Sequence, residues 1–584
     1  MTQKLDGPNA YRSAEWFDTP EMYGWTRRAA LQGQGFNEAS YSGRPVIGIC
    51  NSWSELTHCN MHLRTLAEAV KRGVWQAGGM PLEFPVMSLG EFNMRPTTML
   101  YRNLMSMDVE ESIRANPLDG VVLLGGCDKT TAALLMGAAS ADLPSVIVTS
   151  GAQLNAHWRG EELGACTDCR RYLSELRAGR LTNAEWLELQ SNIIRSPGHC
   201  MTMGTASTLA VLAEVLGLAL PGNGTIPAAD SGRLRLAEQA GRVIVDAVHS
   251  QRRPSQLLTS SAFENAIRVF HALAGSTNVV IHLIALAGRL GLELPLSRFD
   301  ELARTTPALL NLKPAGQFLM EDFHYAGGLP GLCCELAPLL DLSTPTVCGA
   351  TLGDQIRGGS IWNREVIRPL SEPLGTDGGL SVLFGNLAPR GAIIKHSAAS
   401  PHLLAHRGRA VVFENYADLH TRIDDPALDI CENDVLVLKN AGPIGGSGMP
   451  EWGLLPLPTR LLKRGVRDMV RISDARISGT AQGTVVVHVT PEAAIGGPLA
   501  VVQNGDEILV DVPARRLDLL IDNDELQRRL RDWTAPTANV QRGYRWLFHK
   551  HVLQADQGCD FDFLRASGSA PRLEHSAAAE PASV

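Results

Sequence analysis

Residues 118–139 read LDGVVLLGGCDKTTAALLMGAA. The first part, 118–126, is an almost unbroken apolar run of strand length that ends on two glycines. A strand apolar on both sides is one buried on both faces, as in a parallel sheet. From Lys129 to Ala139 small and apolar residues continue without a proline, which predicts a helix. Working outward, PVIGIC (45–50) and PSVIVTS (144–150) read as two more buried strands, and 61–76 as an amphipathic helix. Strands alternating with helices predict a parallel sheet covered on both faces, an α/β/α sandwich. In such sheets the functional residues gather where strands end and helices begin.

The rest of the chain changes texture twice. Residues 160–370 are helical in pattern, including 205–216 and the stretch 262–290. LSEPLGTDGG (370–379) is rich in proline, glycine and acid. After it come short β-like runs: LSVLFGN (380–386), GAIIKHS (391–397), RAVVFEN (409–415), DVLVLKN (434–440), TVVVHV (484–489) and DEILVDV (506–512). Their spacing predicts a barrel or sandwich. The 584 residues exceed one ordinary core, so two domains are expected. These are an N-terminal α/β domain over 1–370 and a C-terminal β-barrel-like domain with flanking helices over 371–584, its tail disordered after about 567.

Net charge is −8 without a long basic run, which argues against nucleic acid as a partner. The longest apolar stretch, 206–220, is interrupted and too short to span a membrane, and the first residues lack the pattern of a secretory signal. A cytoplasmic enzyme or binding protein for a small molecule is the expectation, since an anionic ligand needs only a local positive pocket or metal.

Eleven cysteines in such a chain point away from a disulfide framework and toward ligation by some of them. Cys50, Cys333, Cys334, Cys348, Cys431 and Cys559 sit in apolar or nondescript settings and read as structural. Cys166 and Cys169 form a C-x-x-C without a second pair, and read as surface thiols. His58 and His62 have helical zinc-ligand spacing, but no Glu follows His58, so both read as packing residues. Cys59 in THCNMHL, Cys127 in GGCDKTT and Cys200 in GHCMTMGTAST stand at candidate turns, 68 and 73 residues apart. Spacing alone announces no cluster. Three thiolates in place of four would leave one iron an open position, and an open metal can act as a Lewis acid on a leaving hydroxyl. A phosphate loop is rejected for GGCDKTT, because Asp128 stands where that motif needs the glycine before its lysine.

CDKTT, HCMTMGTAST, GSTNVVIHL, GPIGGSGMPE and SDARISGTAQGTVVVHVTPEAAIGGPLAVVQNGD, in this order, resemble the dihydroxy-acid dehydratase and 6-phosphogluconate dehydratase family, over residues 44–563. The wording RISDARISGTAQGT is most similar to its sugar-acid branch. The resemblance implies a [2Fe–2S] cluster on Cys59, Cys127 and Cys200. It implies Mg²⁺, or Mn²⁺, held by Glu91 in SLGEFNMRPT, Asp128, Lys129 as a carbamate, and Glu451, an oxygen set that suits hard cations. It implies Ser478 of ARISGTA as the catalytic base. Thr480 is a weaker substrate-contact candidate, and Arg476 pairs either with a substrate carboxylate or in a structural salt bridge. An active site between the two domains and a homodimer or homotetramer are implied as well.

The sequence departs from the family pattern at four places. Ala132 and Ser447 replace prolines, SGAQL (150–154) replaces a glycine–proline segment near the substrate region, and Ala274 replaces a glycine before GSTN. The resulting expectation is a hydro-lyase that converts a 2,3-dihydroxy acid, such as the aldonic acid L-arabinonate, to its 2-oxo-3-deoxy acid. Two alternatives stand beside it: a branched-chain biosynthetic dehydratase acting on 2,3-dihydroxyisovalerate, and a catalytically silent metal-binding paralogue.

Overall fold

The computed structural model describes residues 11–536 and 540–566; the tail expected to be disordered lies outside them. The first sheet contains β1 (Val46–Asn51), β2 (Met80–Pro85), β3 (Gly120–Gly125) and β4 (Ser145–Thr149) in the order β2-β1-β3-β4, every pair parallel. β1, β3 and β4 are buried along their whole length, as their continuous apolar runs require. β2 was not legible as a strand because Pro81, Glu83 and Pro85 interrupt it. It holds the sheet edge, where a missing N–H costs no ladder bond.

Right-handed crossovers place the connecting helices. The step from β1 to β2 runs opposite to those from β2 to β3 and from β3 to β4. α1 (Leu63–Gln76) therefore covers one face, and α2 (Arg102–Ala115) and α3 (Asp128–Ala141) the other. Further helices follow: α4 (Thr167–Arg177), α5 (Thr205–Val215), α6 (Ser231–His249), α7 (Ser260–Ala272) and α8 (Asn278–Arg289). α1 and α6 cross closely at Gly73 and Gly241, where an added Cβ would lie 1.9 Å from Glu238 O and 2.3 Å from Val70 O. α3 is buried nearly all round, between the sheet, α2, α5 and α8, which is why its sequence lacks a polar face. The expected helical stretch 262–290 is two helices. The chain breaks at 273–277, where Ala274 adopts φ +46°.

From residue 381 onward eight strands form one sheet: β5 (Ser381–Leu383), β6 (Ala392–Ile394), β7 (Ala405–Phe413), β8 (Val435–Leu438), β9 (Arg471–Ser473), β10 (Val485–Val487), β11 (Glu507–Asp511) and β12 (Arg516–Leu519). Their order is β12-β11-β7-β8-β9-β10-β6-β5. The two edges meet: Phe384 N donates to Arg515 O at 3.0 Å and Leu517 N to Phe384 O at 2.9 Å, so the sheet curls into a nearly closed barrel. All six β-like runs of the sequence appear in it. The three-residue β9 and the short hairpin partner β12 were too brief to read. The barrel interior is its own core of Val, Leu and Ile, including Ile394, Val412, Val437, Ile472 and Val510. No helix among the described residues is long and apolar enough to cross a membrane.

Candidate active site

The thiols are brought together by strand order. Cys59 lies in the loop after β1 and Cys127 is the N-cap of α3 after β3, so two neighbouring strands deliver them to the same sheet end. Asn60 locks the loops: its buried Oδ1 accepts from Gly126 N at 2.9 Å and Cys127 N at 3.3 Å. His62 Nε2 reaches Ser150 O, beyond β4, at 3.0 Å. His58 lies 3.7 Å from Cys59 Sγ and 2.8 Å from the amide of Gln153. Both histidines lie beside the thiol loops, and Gln153 brings the divergent SGAQL segment to the thiols.

The Cys59 thiol is in hydrogen-bonding contact with Cys127, and both lie within the electrostatic reach of Cys200. Cys200 has its own partner, Cys166, at 3.7 Å between sulfurs. This corrects the sequence reading of Cys166 as a surface thiol. It is the N-cap of α4, held at φ +68° and turned toward Cys200. Cys59 and Cys127 are buried; Cys166 and Cys200 are partly accessible. The shared hydrogen bond, and then burial, push the Cys59 and Cys200 thiols well above the usual thiol range. Cys166, as the acceptor side of its contact with Cys200 and close to Arg170, is lowered.

Lys129, one residue into α3 and 0% exposed, sits among three carboxylates. Its Nζ is 2.5 Å from Asp128 Oδ2, 3.2 Å from Glu451 Oε1 and 3.4 Å from Glu91 Oε2. Burial and Arg476 push the lysine down, but the three carboxylates outweigh them and it is raised overall. Burial pushes Glu91 up, yet Lys129, Arg476 and hydrogen bonds from Thr98 and Thr97 bring it down to about 2. Asp128 is raised, by burial first and by its acidic neighbours, against the pull of Lys129. Glu451 is fixed by Asn278 Nδ2 at 3.1 Å and Arg476 Nη1 at 3.1 Å. Arg476 is fully buried and also donates to Met449 O at 2.8 Å and Thr97 Oγ1 at 3.0 Å. Of its two readings, the internal salt bridge is the one the structure displays.

Ser478 belongs to the loop after β9. Gly479 seats this loop directly on Ser276 and the backbone of Thr205; a Cβ there would lie 2.4 Å from Ser276 Oγ. Thus ARISGTA, GSTN and GTAST, far apart in sequence, form one wall. Ser478 Oγ is 2.9 Å from Thr480 Oγ1, which accepts from Arg170 Nη1 at 2.7 Å. Thr480 is tied further by Thr167, whose Oγ1 donates to its carbonyl at 2.7 Å. On the other side of Ser478 is a cavity of about 10 Å³, shared with Thr277 and Lys395. Lys395 Nζ and Thr277 Oγ1 are buried there without hydrogen-bond partners among the described residues. Burial lowers the Lys395 amine to about 7.

Asn60, Arg170, Asn278 and Lys395 were not singled out in the sequence. Asn60 and Asn278 lie inside quoted motifs and had that signal only; Arg170 and Lys395 had none. An open groove of about 1350 Å³ lies elsewhere, lined by Arg114, Asp142, Arg253, Arg289 and Phe563, and holds none of these groups.

Among the described residues no three His, Cys, Asp or Glu close around a single point as a ready metal centre. The donor chemistry nevertheless sorts by kind. The soft thiols of Cys59, Cys127 and Cys200 gather at one sheet end without closing on a single point, as ligands spread over the two irons of a binuclear cluster would. Hard carboxylates ring Lys129 beside them, Asp128 Oδ1 lying 3.6 Å from Cys127 Sγ, and such an oxygen set suits an oxygen-preferring cation. Both sets fit the groups that the resemblance implies.

The profile described as dihydroxy-acid/6-phosphogluconate dehydratase N-terminal matches residues 44–355, and its C-terminal counterpart matches 365–559. An L-arabonate dehydratase of Azospirillum brasilense is 53% identical, covering 97% of this chain and 98% of its own. An L-arabinonate dehydratase of Rhizobium leguminosarum bv. trifolii is 52% identical, with 97% and 98% covered. A 6-deoxy-6-sulfo-D-gluconate dehydratase of Pseudomonas putida is 47% identical, with 98% and 99% covered. Dihydroxy-acid dehydratases match at 37–38%. Matched along both halves, the chain belongs to the dihydroxy-acid/6-phosphogluconate dehydratase family.

Proposed function

We propose that this chain is a hydro-lyase that dehydrates an aldonic sugar acid of the L-arabinonate type to the 2-oxo-3-deoxy acid. The observation that carries the reading is the convergence of Ser478, the carboxylates around Lys129 and the thiols of Cys59, Cys127 and Cys200. The higher identity to sugar-acid dehydratases than to dihydroxy-acid dehydratases supports the substrate class.

In this reading Cys59, Cys127 and Cys200 hold a [2Fe–2S] cluster, and Glu91, Asp128, Lys129 and Glu451 hold Mg²⁺. When bound, the two groups supply Lewis acidity, the cation toward the substrate carboxylate and C2 hydroxyl, the iron toward the departing C3 hydroxyl. Lys129 joins the oxygen donors as a carbamate: its ammonium gives up one proton, and the amine then adds to carbon dioxide and releases a second. Ser478, as its alkoxide, takes the C2 proton on Oγ and returns it to the departing C3 hydroxyl, which leaves as water and restores the alkoxide, and the enol tautomerises to the 2-oxo acid. Thr480 orients Ser478, and Arg170 orients Thr480 while keeping a positive charge beside the incoming acid. Asn278 and Arg476 hold Glu451 in place, and Asn60 holds the two thiol loops in register.

The test is turnover of a panel of aldonic acids and 2,3-dihydroxyisovalerate by anaerobically purified protein, with keto-acid formation as the readout. The expected result is 2-oxo-3-deoxy acid from L-arabinonate at a kcat/KM well above that for 2,3-dihydroxyisovalerate. The reverse order would transfer the chain to branched-chain biosynthesis. No turnover of any acid by iron-loaded, Mg²⁺-supplied protein would leave the silent paralogue.

A further inference from the structure

The candidate site contains one more thiol than the reading above uses. Four cysteine sulfurs gather there in two pairs, Cys59 with Cys127 and Cys166 with Cys200. The members of the second pair are 3.7 Å apart. Two thiolates bound to one tetrahedral metal at about 2.3 Å stand about 3.8 Å from each other. A disulfide would need about 2.05 Å. The separation excludes a disulfide and is one that two ligands of a single metal can keep.

The backbone holds Cys166 in place for this role. It caps the N-terminus of α4, an 11-residue helix, as Cys127 caps that of α3. A helix N-terminus favours a thiolate over a thiol. Cys166 occupies φ +68°, a conformation that costs a non-glycine residue about 1–3 kcal/mol and persists only where the surroundings fix it. Arg170 Nη1, at 3.1 Å from Cys166 O, ties the first turn of α4 to Thr480 and so to Ser478. Of the four, only Cys166 and Cys200 are partly accessible, so the second pair faces the side from which a substrate arrives.

We propose that Cys166 is a fourth thiolate ligand of the cluster, closing on the iron beside Cys200 in the substrate-free enzyme and giving way to the substrate. This rests on the cluster reading of the preceding section. The exchange transfers no electrons: the bond between Cys166 and iron breaks, the substrate oxygen takes the position, and the thiolate takes up a proton. Capping shields the iron from oxygen until an acid is bound, which a permanently open position cannot do.

The test is Mössbauer spectroscopy of ⁵⁷Fe-loaded protein, wild type against Cys166→Ala and Cys166→Gly, the glycine relaxing the positive φ. Iron and acid-labile sulfide are assayed on each sample. In substrate-free wild type both irons are expected to give all-sulfur doublets that overlap. In each variant half of the iron signal should move to the higher isomer shift of a site with an oxygen ligand, and adding L-arabinonate to wild type should produce the same change. Identical substrate-free spectra in wild type and both variants would overturn the proposal and leave the three-cysteine cluster intact. A Cys166–Cys200 disulfide in non-reducing peptide maps of loaded wild type would overturn it also. Wild type without iron and sulfide would instead overturn the cluster reading itself.

Discussion

Two side chains that line one small cavity, Ser478 and Lys395, can each be tested alone. Ser478 is held through Thr480, so Ser478→Ala removes one oxygen and leaves the ring of carboxylates and the thiols untouched. Its kcat should fall by about 10²–10⁴, the range for a general acid–base group, with KM changed much less. Steady-state kinetics beside an unchanged cluster absorption spectrum checks this; an Ala variant with near-normal kcat would send the search for the base elsewhere. Lys395 is the other side chain. Burial lowers its amine from the ordinary 10.5 to about 7, and among the described residues its cavity is lined by no carboxylate. Between these values the unfolded chain binds more protons than the folded one, so stability should rise from pH 7 toward 10.5 and be lost as pH falls back. The slope contributed is at most about 1.4 kcal/mol per pH unit. Lys395→Met should remove that slope and stabilise the protein at pH 7, as denaturant midpoints measured between pH 7 and 10 would reveal. Parallel midpoint curves for the two proteins would mean that the amine is not held neutral.

At the scale of elements, α3 shows how far the sequence could be read. The run 118–139 was legible as a buried strand and helix because its apolar character is continuous and glycines mark its turn. The start of that helix carries Cys127 as N-cap, then Asp128 and Lys129, so a thiol, a carboxylate and an amine follow one another at the sheet end. What no local pattern could disclose is the partner of each. Cys59 meets Cys127 because β1 and β3 are neighbours, and Cys200 meets Cys166 because α4 begins with a residue at positive φ. The same limit applies to the departures. Ala274, which looked inconsequential, carries φ +46° at the break between α7 and α8, where a glycine would be unstrained. Ser447 carries φ +47°, which a proline ring cannot adopt, so the loop before Glu451 takes a path closed to proline. Lys129→Arg tests the element directly. Guanidinium keeps the positive charge but forms no carbamate, and it needs more room than the closed ring around Nζ gives. The variant should lose bound Mg²⁺ and activity together while retaining the iron; metal analysis of the purified protein decides. Full Mg²⁺ content with arginine present would rule out the carbamate.

The two halves of the molecule are bound by a strap. The last described segment, 543–566, leaves the C-terminal half and returns to α2 and α8 of the first, packing Phe548, Val552 and Phe561 against Leu100, Ile281 and Met449. Its polar anchor is Asp560, whose carboxylate receives Arg289 Nε at 2.6 Å and Nη2 at 3.0 Å, both side chains fully buried. Arg102 adds bonds at 2.9 Å to the carbonyls of Gly558 and Cys559. The strap also supports the loop that carries Glu451, since His549 bonds Ser447 at 2.9 Å and Gln554 bonds Glu492 at 2.7 Å. Glu492 in turn accepts from the backbone of Ile444 and Gly445 in that loop. An ion pair this deep is itself worth little against a hydrophobic replacement, but removing one partner strands the other charge. Asp560→Ala should therefore destabilise the protein by about 3–5 kcal/mol, read as a lowered denaturant midpoint. Because the strap positions the loop of Glu451, the variant should also hold Mg²⁺ less tightly, although Asp560 touches no proposed ligand. Pairing the change with Arg289→Met removes the stranded charge and should recover most of the lost stability. An Asp560→Ala protein with the wild-type midpoint would show that the strap is held by its apolar contacts alone.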